Sequence, residues 1–141
     1  MAATGHAKWT GDIETGEGTV DTGTKSLEGT YSAASRFGDG KGTNPEELIA
    51  AAHASCFSRA LTLILGQAGA APESVETDAS VYLRRTETGF EIHKIALTTV
   101  GTVPGMSAGD FERHAEVAKE NCPVSKALAA PEITLEAKLA D

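Results

Sequence analysis

The chain has 141 residues, 40% of them hydrophobic, and its 20 acidic and 12 basic residues give a net charge of −8. This length suits a single domain over residues 1–141, and the apolar content excludes a disordered chain. The negative charge, the scattered Lys and Arg residues and the few aromatic residues argue against a nucleic-acid partner. Because no apolar run approaches the ~18 residues of a membrane span and the N-terminus lacks a signal pattern, we expect a cytoplasmic protein with no membrane partner.

The first part of the chain predicts short strands followed by a loop. Residues 1–33 are rich in glycine and threonine, with strand-like pieces at His6–Thr10 and Gly18–Thr22 between turn signals. Residues 34–43 are glycine-rich and predict a loop. This loop lacks the glycine spacing and the Lys-Ser/Thr pair of a phosphate loop, which argues against nucleotide binding.

A long helix is the best-marked element of the sequence. Asn44 suits the N-cap, Pro45 the first helical position, and Glu47 the acidic position of a capping box. The helix is expected to end near Gly66 or Gly69. Because its middle is apolar nearly all round, the pattern predicts burial on every side, and its many alanines permit close approach of a second helix.

The remaining sequence predicts a hairpin, two helices and a last strand. Alternating apolar residues over 74–86 and 90–102 predict antiparallel strands, with a bulge near His93-Lys94 where the alternation changes phase. Residues 107–121 predict an amphipathic helix with one face formed by Phe111, His114, Val117 and Ala118. A short helix from Pro123 to about Leu128 places Cys122 at its N-cap, and alternation over 133–139 predicts a strand. We therefore predict an α+β fold with antiparallel strands and one long buried helix.

The chain has two cysteines, which are the residues best suited to carry chemistry. Cys56 lies in the middle of the long helix and Cys122 far along the chain, so only the fold can bring them together. Such a pair is a candidate couple of an attacking and a resolving thiol. Cys56 could instead serve only as a small buried apolar residue, and Cys122 only as a capping residue. Cys122 carries the stronger independent signal, because the N–H groups and dipole of a helix N-terminus favour a thiolate.

Two charged residues flank the start of the long helix. Arg36 precedes the helix and Glu46 lies in its first turn. A guanidinium held by a carboxylate can be aimed at a thiolate and at a developing oxyanion. Solvent exposure of Arg36 and compensation of the helix dipole by Glu46 would explain both residues without chemistry.

His53 stands three residues before Cys56, on the same face of the predicted helix. This position is compatible with a Cys–His pair of a thiol hydrolase, or with part of a zinc site that includes Cys122 and His114. The spacing matches no usual zinc arrangement. A hydrogen-bonded core histidine explains the position as well.

Three stretches carry a wording that is specific when taken together: residues 43–48 (TNPEEL), 51–58 (AAHASCFS) and 121–125 (NCPVS). They resemble the OsmC/Ohr family, whose names stand for osmotically inducible protein C and organic hydroperoxide resistance. The opening residues 6–12 (HAKWTGD) and the closing residues 132–135 (EITL) fit the same family. The resemblance covers nearly the whole chain and is closer to the OsmC branch.

The resemblance implies a thiol-dependent peroxidase that reduces organic hydroperoxides and hydrogen peroxide in oxidative and osmotic stress defence. It implies Cys56 as the peroxidatic cysteine, Cys122 as the resolving cysteine, and Arg36 and Glu46 as the catalytic arginine and glutamate. It also implies an antiparallel sheet wrapped around a long central helix, no metal or organic cofactor, and a dithiol reductant such as a lipoylated protein. Arg59 departs from the family, because an apolar residue is expected at this position.

The helix geometry and the resemblance together predict an intertwined homodimer. If the long helix is unbroken, Glu46 and Cys56 are ten residues apart, or ~15 Å along the axis, and face different directions. We therefore expect each site to combine residues of two chains. A redox-responsive or small-ligand-binding protein of the same fold, without catalytic turnover, stays open as an alternative.

Overall fold

The computed structural model describes residues 1–129 and 132–140. Along this part of the chain it contains these strands and helices: β1 (Gly5–Thr10), β2 (Glu17–Thr22), β3 (Glu28–Tyr31), α1 (Ala33–Phe37), α2 (Pro45–Gln67), β4 (Ser74–Thr86), β5 (Gly89–Thr102), α3 (Ala108–Asn121), α4 (Pro123–Ala127) and β6 (Glu132–Leu139). They form two compact units, Met1–Leu48 and Ile49–Asp141. The single domain expected from the length stays a prediction.

The first unit is built on a small antiparallel sheet in the order β1-β2-β3. The two strands predicted at its start are present, each within one residue of its expected bounds. The rings of Trp9 and Tyr31 lie 5.5 Å apart on this sheet. Gly18 lies against Tyr31, and a Cβ atom at this position would meet the ring at 2.4 Å, so the absence of a side chain permits the packing.

The loop predicted over residues 34–43 is wrong in its first half, where the chain forms α1. Ser32 caps this helix by accepting a hydrogen bond from the N–H of Ser35, and the Ser35 hydroxyl oxygen accepts one from the N–H of Ser32. This reciprocal serine capping box stabilises a helix that is otherwise too short to form on its own. The glycines that suggested a loop begin only at Gly38, which ends the helix.

The long helix α2 begins and ends where the sequence predicts. The Asn44 side chain accepts a hydrogen bond from the N–H of Glu47 at 2.8 Å. The Glu47 carboxylate accepts a hydrogen bond from the hydroxyl of Thr43, the residue before the N-cap, at 2.7 Å. At the other end, Gly69 adopts a left-handed conformation with φ of +82°, which is the backbone geometry that stops a helix.

The burial of α2 is narrower than predicted, because in the single chain it is confined to one face. This face carries residues spaced by four: His53, Phe57, Leu61 and Leu65. Leu63 on another face is 57% exposed. Burial on every side is therefore not found within one chain, and the exposed apolar face requires an explanation.

Our expectation that no segment is long and apolar enough to span a membrane is also corrected by α2. Among the described helices, α2 meets that condition by length and composition. Single Ser, Thr and His residues interrupt the apolar runs of α2, but its mean hydropathy is high, at 1.6. A series of hydrogen bonds joins α2 to two strands of the same chain. The Ser58 hydroxyl donates to Thr77 Oγ1, which lies 3.0 Å from Thr99 Oγ1. These bonds are typical of a core helix of a folded unit.

The second unit contains a sheet in the order β4-β5-β6. The predicted hairpin of β4 and β5 is confirmed, and so is its bulge, since Tyr82 pairs with Lys94 and Leu83 with Ile92, which leaves His93 as the extra residue. The last strand β6 is present but runs parallel to β5. The sheet is thus mixed, and the α+β class with a long central helix is confirmed.

The core of the second unit lies between this sheet, α2 and α3. Its large buried side chains are Phe57, Leu61, Leu65, Ile95, Leu97 and Phe111. The buried face of α3 carries Phe111, Ala115 and Ala118. Val117, which we assigned to this face, is 44% exposed, because six residues of helix place it roughly 240° around the axis from Phe111.

Candidate active site

The two cysteines meet in the second unit. Both are free thiols, and their Sγ atoms are 3.0 Å apart. Cys56 is part of α2 and partly exposed, whereas Cys122 is fully buried at the junction of α3 and α4. The N–H of Cys122 donates to the carbonyl of Ala118, and Pro123 opens α4 directly after it. The fold therefore brings the two thiols of the candidate couple together, and their separate roles stay a prediction.

The surroundings of Cys122 favour its thiolate. Burial acts to raise the pKa of Cys122, but hydrogen-bond donors outweigh burial and hold this pKa below its ordinary value. The donors are the Cys56 thiol, the N–H and hydroxyl of Ser125, and the N–H of Val124. The two N–H groups belong to the first turn of α4, where the helix dipole has its positive end. The N-cap position predicted for Cys122 thus has the expected electrostatic effect.

Cys56 has the opposite tendency. Burial raises the pKa of Cys56 above its ordinary value, and the neighbouring Cys122 adds to the increase. The Val124 N–H lowers the same pKa, and Arg59 lowers it further, but both effects are smaller. Within this unit Cys122 is therefore the more acidic thiol, so an attacking Cys56 requires a further positive charge nearby.

Arg36 and Glu46 are joined in the first unit. Arg36 lies in α1 and Glu46 in the first turn of α2. The guanidinium donates two hydrogen bonds to the carboxylate, from Nε to Oε2 at 3.1 Å and from Nη2 to Oε1 at 2.5 Å. The Phe37 ring supports the guanidinium, with its centroid 5.2 Å from Cζ. The structure thus forms the predicted clamp, and its relation to Cys56 stays a prediction.

His53 makes a contact that the sequence did not reveal. Its Nε2 lies 2.7 Å from the hydroxyl oxygen of Ser125, and both residues are buried. The other ring nitrogen, Nδ1, is buried and has no hydrogen-bond partner among the described residues. Burial lowers the pKa of His53, so the ring is neutral at physiological pH.

Ser125 is the residue of this site that sequence reasoning missed. It is the third residue after Cys122, which is the N3 position of α4. A side chain at N3 points back towards the cap residue, and this local signal was available in the sequence. Its partner His53 lies 72 positions earlier in the chain, and only the fold reveals that contact.

The alternatives for His53 are not favoured by this geometry. The hydrogen bond of His53 goes to Ser125, whereas a Cys–His hydrolase pair needs the histidine on the cysteine. In residues 1–129 and 132–140 no group of three or more His, Cys, Asp or Glu side chains is placed to hold a metal ion. A hydrogen-bonded core histidine, as the third alternative predicts, describes the observed contact.

A family model described as OsmC-like protein matches residues 38–138. The chain belongs to the OsmC-like protein family. It is 51% identical over 136 residues to Peroxiredoxin OsmC of Escherichia coli strain K12, an alignment that covers 96% of this chain and 94% of that protein. It is also 38% identical over 90 residues to Organic hydroperoxide resistance protein-like 2 of Staphylococcus epidermidis, with 62% of this chain and 61% of that protein covered. The predicted family is confirmed.

Solved structures of OsmC-like proteins have the same fold. An organic hydroperoxide resistance protein OsmC of Legionella pneumophila has a TM-score of 0.77 at 29% identity, with 96% of each chain covered. An organic hydroperoxide resistance protein of Elizabethkingia anophelis, solved with thiocyanate bound, has a TM-score of 0.79 at 26% identity, with 99% of each chain covered. The predicted OsmC-like fold is therefore confirmed.

In this OsmC-like protein the cysteine pair is arranged for reversible oxidation. Two Sγ atoms at 3.0 Å need to approach by only about 1 Å to reach the S–S bond length of a disulfide. Arg59, at a position where we expected an apolar residue, is exposed, and its charge acts to lower the pKa of Cys56. The site can therefore give two electrons to an oxidant by forming a disulfide.

Proposed function

We propose that this OsmC-like protein is a cysteine-based peroxidase that reduces organic hydroperoxides and hydrogen peroxide. Cys56 is the attacking thiol and Cys122 the resolving thiol. The observation that carries the proposal is the pair of free thiols with Sγ atoms 3.0 Å apart. A relative that is 51% identical and is called a peroxiredoxin supports the same reaction class. Cys56 is partly exposed and Cys122 is buried. These exposures match the attacking and resolving roles, because the peroxide must reach only the sulfur of Cys56.

The proposed reaction has two chemical steps. The Cys56 thiolate attacks the distal peroxide oxygen, the O–O bond breaks, and the alkoxide leaves as an alcohol after taking up a proton. Cys56 is then a sulfenic acid. The Cys122 thiolate attacks the Cys56 sulfur, the S–O bond breaks, and hydroxide leaves as water after protonation. An external dithiol reduces the disulfide to two thiols and is itself oxidised to a disulfide.

Arg36 and Glu46 supply the positive charge that Cys56 lacks within its own unit. An ordinary thiol is a few per cent ionised at neutral pH, so full ionisation raises the thiolate population by about 30-fold and lowers the nucleophilicity of the thiolate. Stabilisation of the leaving oxygen by a fixed donor raises the reaction rate by a further factor of about 10²–10³. A guanidinium held by two hydrogen bonds to Glu46 is suited to both tasks.

The site is proposed to form across a homodimer, with Arg36 and Glu46 of one copy beside Cys56 of the other. Glu46 and Cys56 lie on the same unbroken helix α2, ten residues or ~15 Å apart along its axis. A second copy of α2 packed in antiparallel orientation brings each Glu46 towards the other chain's Cys56. The exposed apolar face of α2, with Leu63 57% exposed in one chain, provides the surface for this contact.

The remaining partners follow from the chemistry. The reductant is a dithiol, such as the dihydrolipoyl group of a lipoylated protein, and the reaction requires no metal or organic cofactor. Two working thiols must be kept reduced between turnovers, which fits a reducing compartment such as the cytoplasm. The physiological role is then removal of hydroperoxides during oxidative and osmotic stress.

Turnover tests the proposed function. The protein is incubated with excess dihydrolipoamide and either cumene hydroperoxide or hydrogen peroxide, and peroxide loss is followed over many equivalents. We expect continued consumption by the wild type and none by Cys56→Ser. A wild type that consumes one equivalent and stops would instead be a redox-responsive protein. Comparison of the two peroxides also measures the substrate preference.

A further inference from the structure

We propose that His53 is a positioning residue that aims the Ser125 hydroxyl at the sulfur of Cys122 and thereby speeds the resolving step. The inference rests on the proposed function of the two cysteines. It assigns a task to a buried histidine and a buried serine, 0% and 4% exposed, that the attack on peroxide does not use.

The partners of its two ring nitrogens decide the tautomer of His53. The neutral ring carries one proton, on Nδ1 or on Nε2. Nδ1 is buried without a partner among the described residues, and buried N–H groups without an acceptor are rarer than buried acceptors without a donor. The proton is therefore on Nε2, which donates to the Ser125 oxygen at 2.7 Å.

The bond from His53 leaves the proton of the Ser125 hydroxyl available to another acceptor. A serine hydroxyl has one proton and two lone pairs. Because its oxygen accepts from His53, its proton is free to point to another acceptor. The Ser125 side chain stands at the N3 position of α4 with Cys122 at the N-cap, and a side chain at N3 points back towards the cap residue. The Ser125 proton is therefore assigned to the Cys122 sulfur.

A hydroxyl proton directed at Cys122 changes the ionisation of its thiol. A hydroxyl that donates to the sulfur stabilises the thiolate over the thiol. The Ser125 hydroxyl is among the donors that hold the pKa of Cys122 below its ordinary value. The thiolate is the nucleophile that attacks the Cys56 sulfenic acid. The opposite tautomer would accept the Ser125 proton and withdraw this donor, so the protonation of His53 decides whether Ser125 assists Cys122.

The decisive measurement is the ionisation of Cys122 in a Cys56→Ala background, followed by the ultraviolet absorbance of the thiolate against pH. We expect Ser125→Ala and His53→Leu to move the transition to higher pH. We expect His53→Gln, whose side-chain amide keeps a donor for Ser125, to retain most of the wild-type behaviour. Thr99→Val is the matched control, since Thr99 is an equally buried hydrogen-bonded residue of the same unit. An unchanged transition in folded Ser125→Ala, or an equal shift in Thr99→Val, overturns the proposal.

A kinetic measurement separates this proposal from the peroxidase function itself. One equivalent of cumene hydroperoxide is mixed with reduced protein, and sulfenic acid and disulfide formation are followed in turn. Ser125→Ala should form sulfenic acid no more slowly than the wild type, and it should form the disulfide about tenfold more slowly near neutral pH, the effect of one charge-assisted hydrogen bond. High pH should restore the second phase; slowing that is equal at every pH overturns the proposal. If the wild type forms no sulfenic acid, the peroxidase function fails, while the ionisation measurement still decides the role of His53 and Ser125.

Discussion

Arg36 and Glu46 form a two-point contact in which the Nε and Nη2 donors of the guanidinium meet the two carboxylate oxygens at 3.1 Å and 2.5 Å. Bidentate pairs of this kind fix the direction of a guanidinium as well as its charge. The Glu46 side chain is 12% exposed and that of Arg36 is 35% exposed, so one end of the arginine stays accessible. We interpret the pair as a preorganised cationic donor whose carboxylate holds it in one orientation.

This interpretation predicts that Arg36→Ala slows oxidation of Cys56 by more than the loss of thiolate explains. The change in thiolate fraction accounts for at most about 30-fold in rate, whereas loss of a donor to the leaving oxygen lowers the rate by about 10²–10³-fold. Stopped-flow rates of sulfenic acid formation against pH measure both terms. Arg59→Ala is the matched control, because Arg59 influences Cys56 through its charge, and it should change the rate far less. Full recovery of Arg36→Ala at high pH would reduce Arg36 to a residue that only lowers the pKa of Cys56.

The two cysteines should also differ when each is replaced alone. Cys56→Ser should be inert towards hydroperoxide, because the attacking atom is gone. Cys122→Ser should react once and then stall as a sulfenic acid, since the thiol 3.0 Å away that forms the disulfide is missing. Mass spectrometry after one equivalent of peroxide distinguishes the two products. If Cys122→Ser is the inert variant and Cys56→Ser reacts once, the roles are reversed, as the lower pKa of Cys122 alone would suggest.

Local signals were sufficient to predict most of the second unit and the start of the long helix. Asn44 and Pro45 mark the beginning of α2, because capping acts within one helical turn. The phase change near His93 marks the bulge, because the alternation of a strand is also a local signal. The helix α1 was missed because the glycines after it outweighed a capping box of two serines. The capping box of Ser32 and Ser35 was visible in the sequence, but serine is as common in loops as at helix caps.

The site was only partly predictable because its contacts join distant parts of the chain. The sequence indicated Cys56 and Cys122 as separate motifs, and their closeness depends on α2 packing beside the junction of α3 and α4. The bond between His53 and Ser125 has the same origin. Alternation in β6 indicates which residues share one face of the sheet. It does not indicate that the strand runs parallel to β5, because both directions give the same pattern.

The buried neutral His53 predicts that stability falls in weakly acidic solution. Burial lowers the pKa of His53 in the folded state, whereas in the unfolded chain the value is about 6.5. Below that value the unfolded state binds more protons, so the stabilisation present above about pH 6.5 is lost as pH falls towards the folded-state pKa. Urea unfolding of the reduced protein at about pH 7.5 and 5.5 measures the effect. His53→Gln should flatten this dependence, whereas His6→Gln, at an exposed histidine, should keep it. An unchanged slope in His53→Gln contradicts the assignment.

The last prediction is that a complete site needs two chains, and mixed dimers can decide it. Chains with Arg36→Ala and with Cys56→Ser are co-expressed under different tags, and the mixed dimer is isolated through both tags. If Arg36 of one chain serves Cys56 of the other, this dimer has one intact site and about half of the wild-type activity. The reciprocal control pairs a wild-type chain with a chain that carries both substitutions. Its two sites each lack one residue in the cross-chain arrangement, so it should be inactive. Sites that are complete within one chain reverse both results, and sedimentation that finds an active monomer excludes the shared site outright.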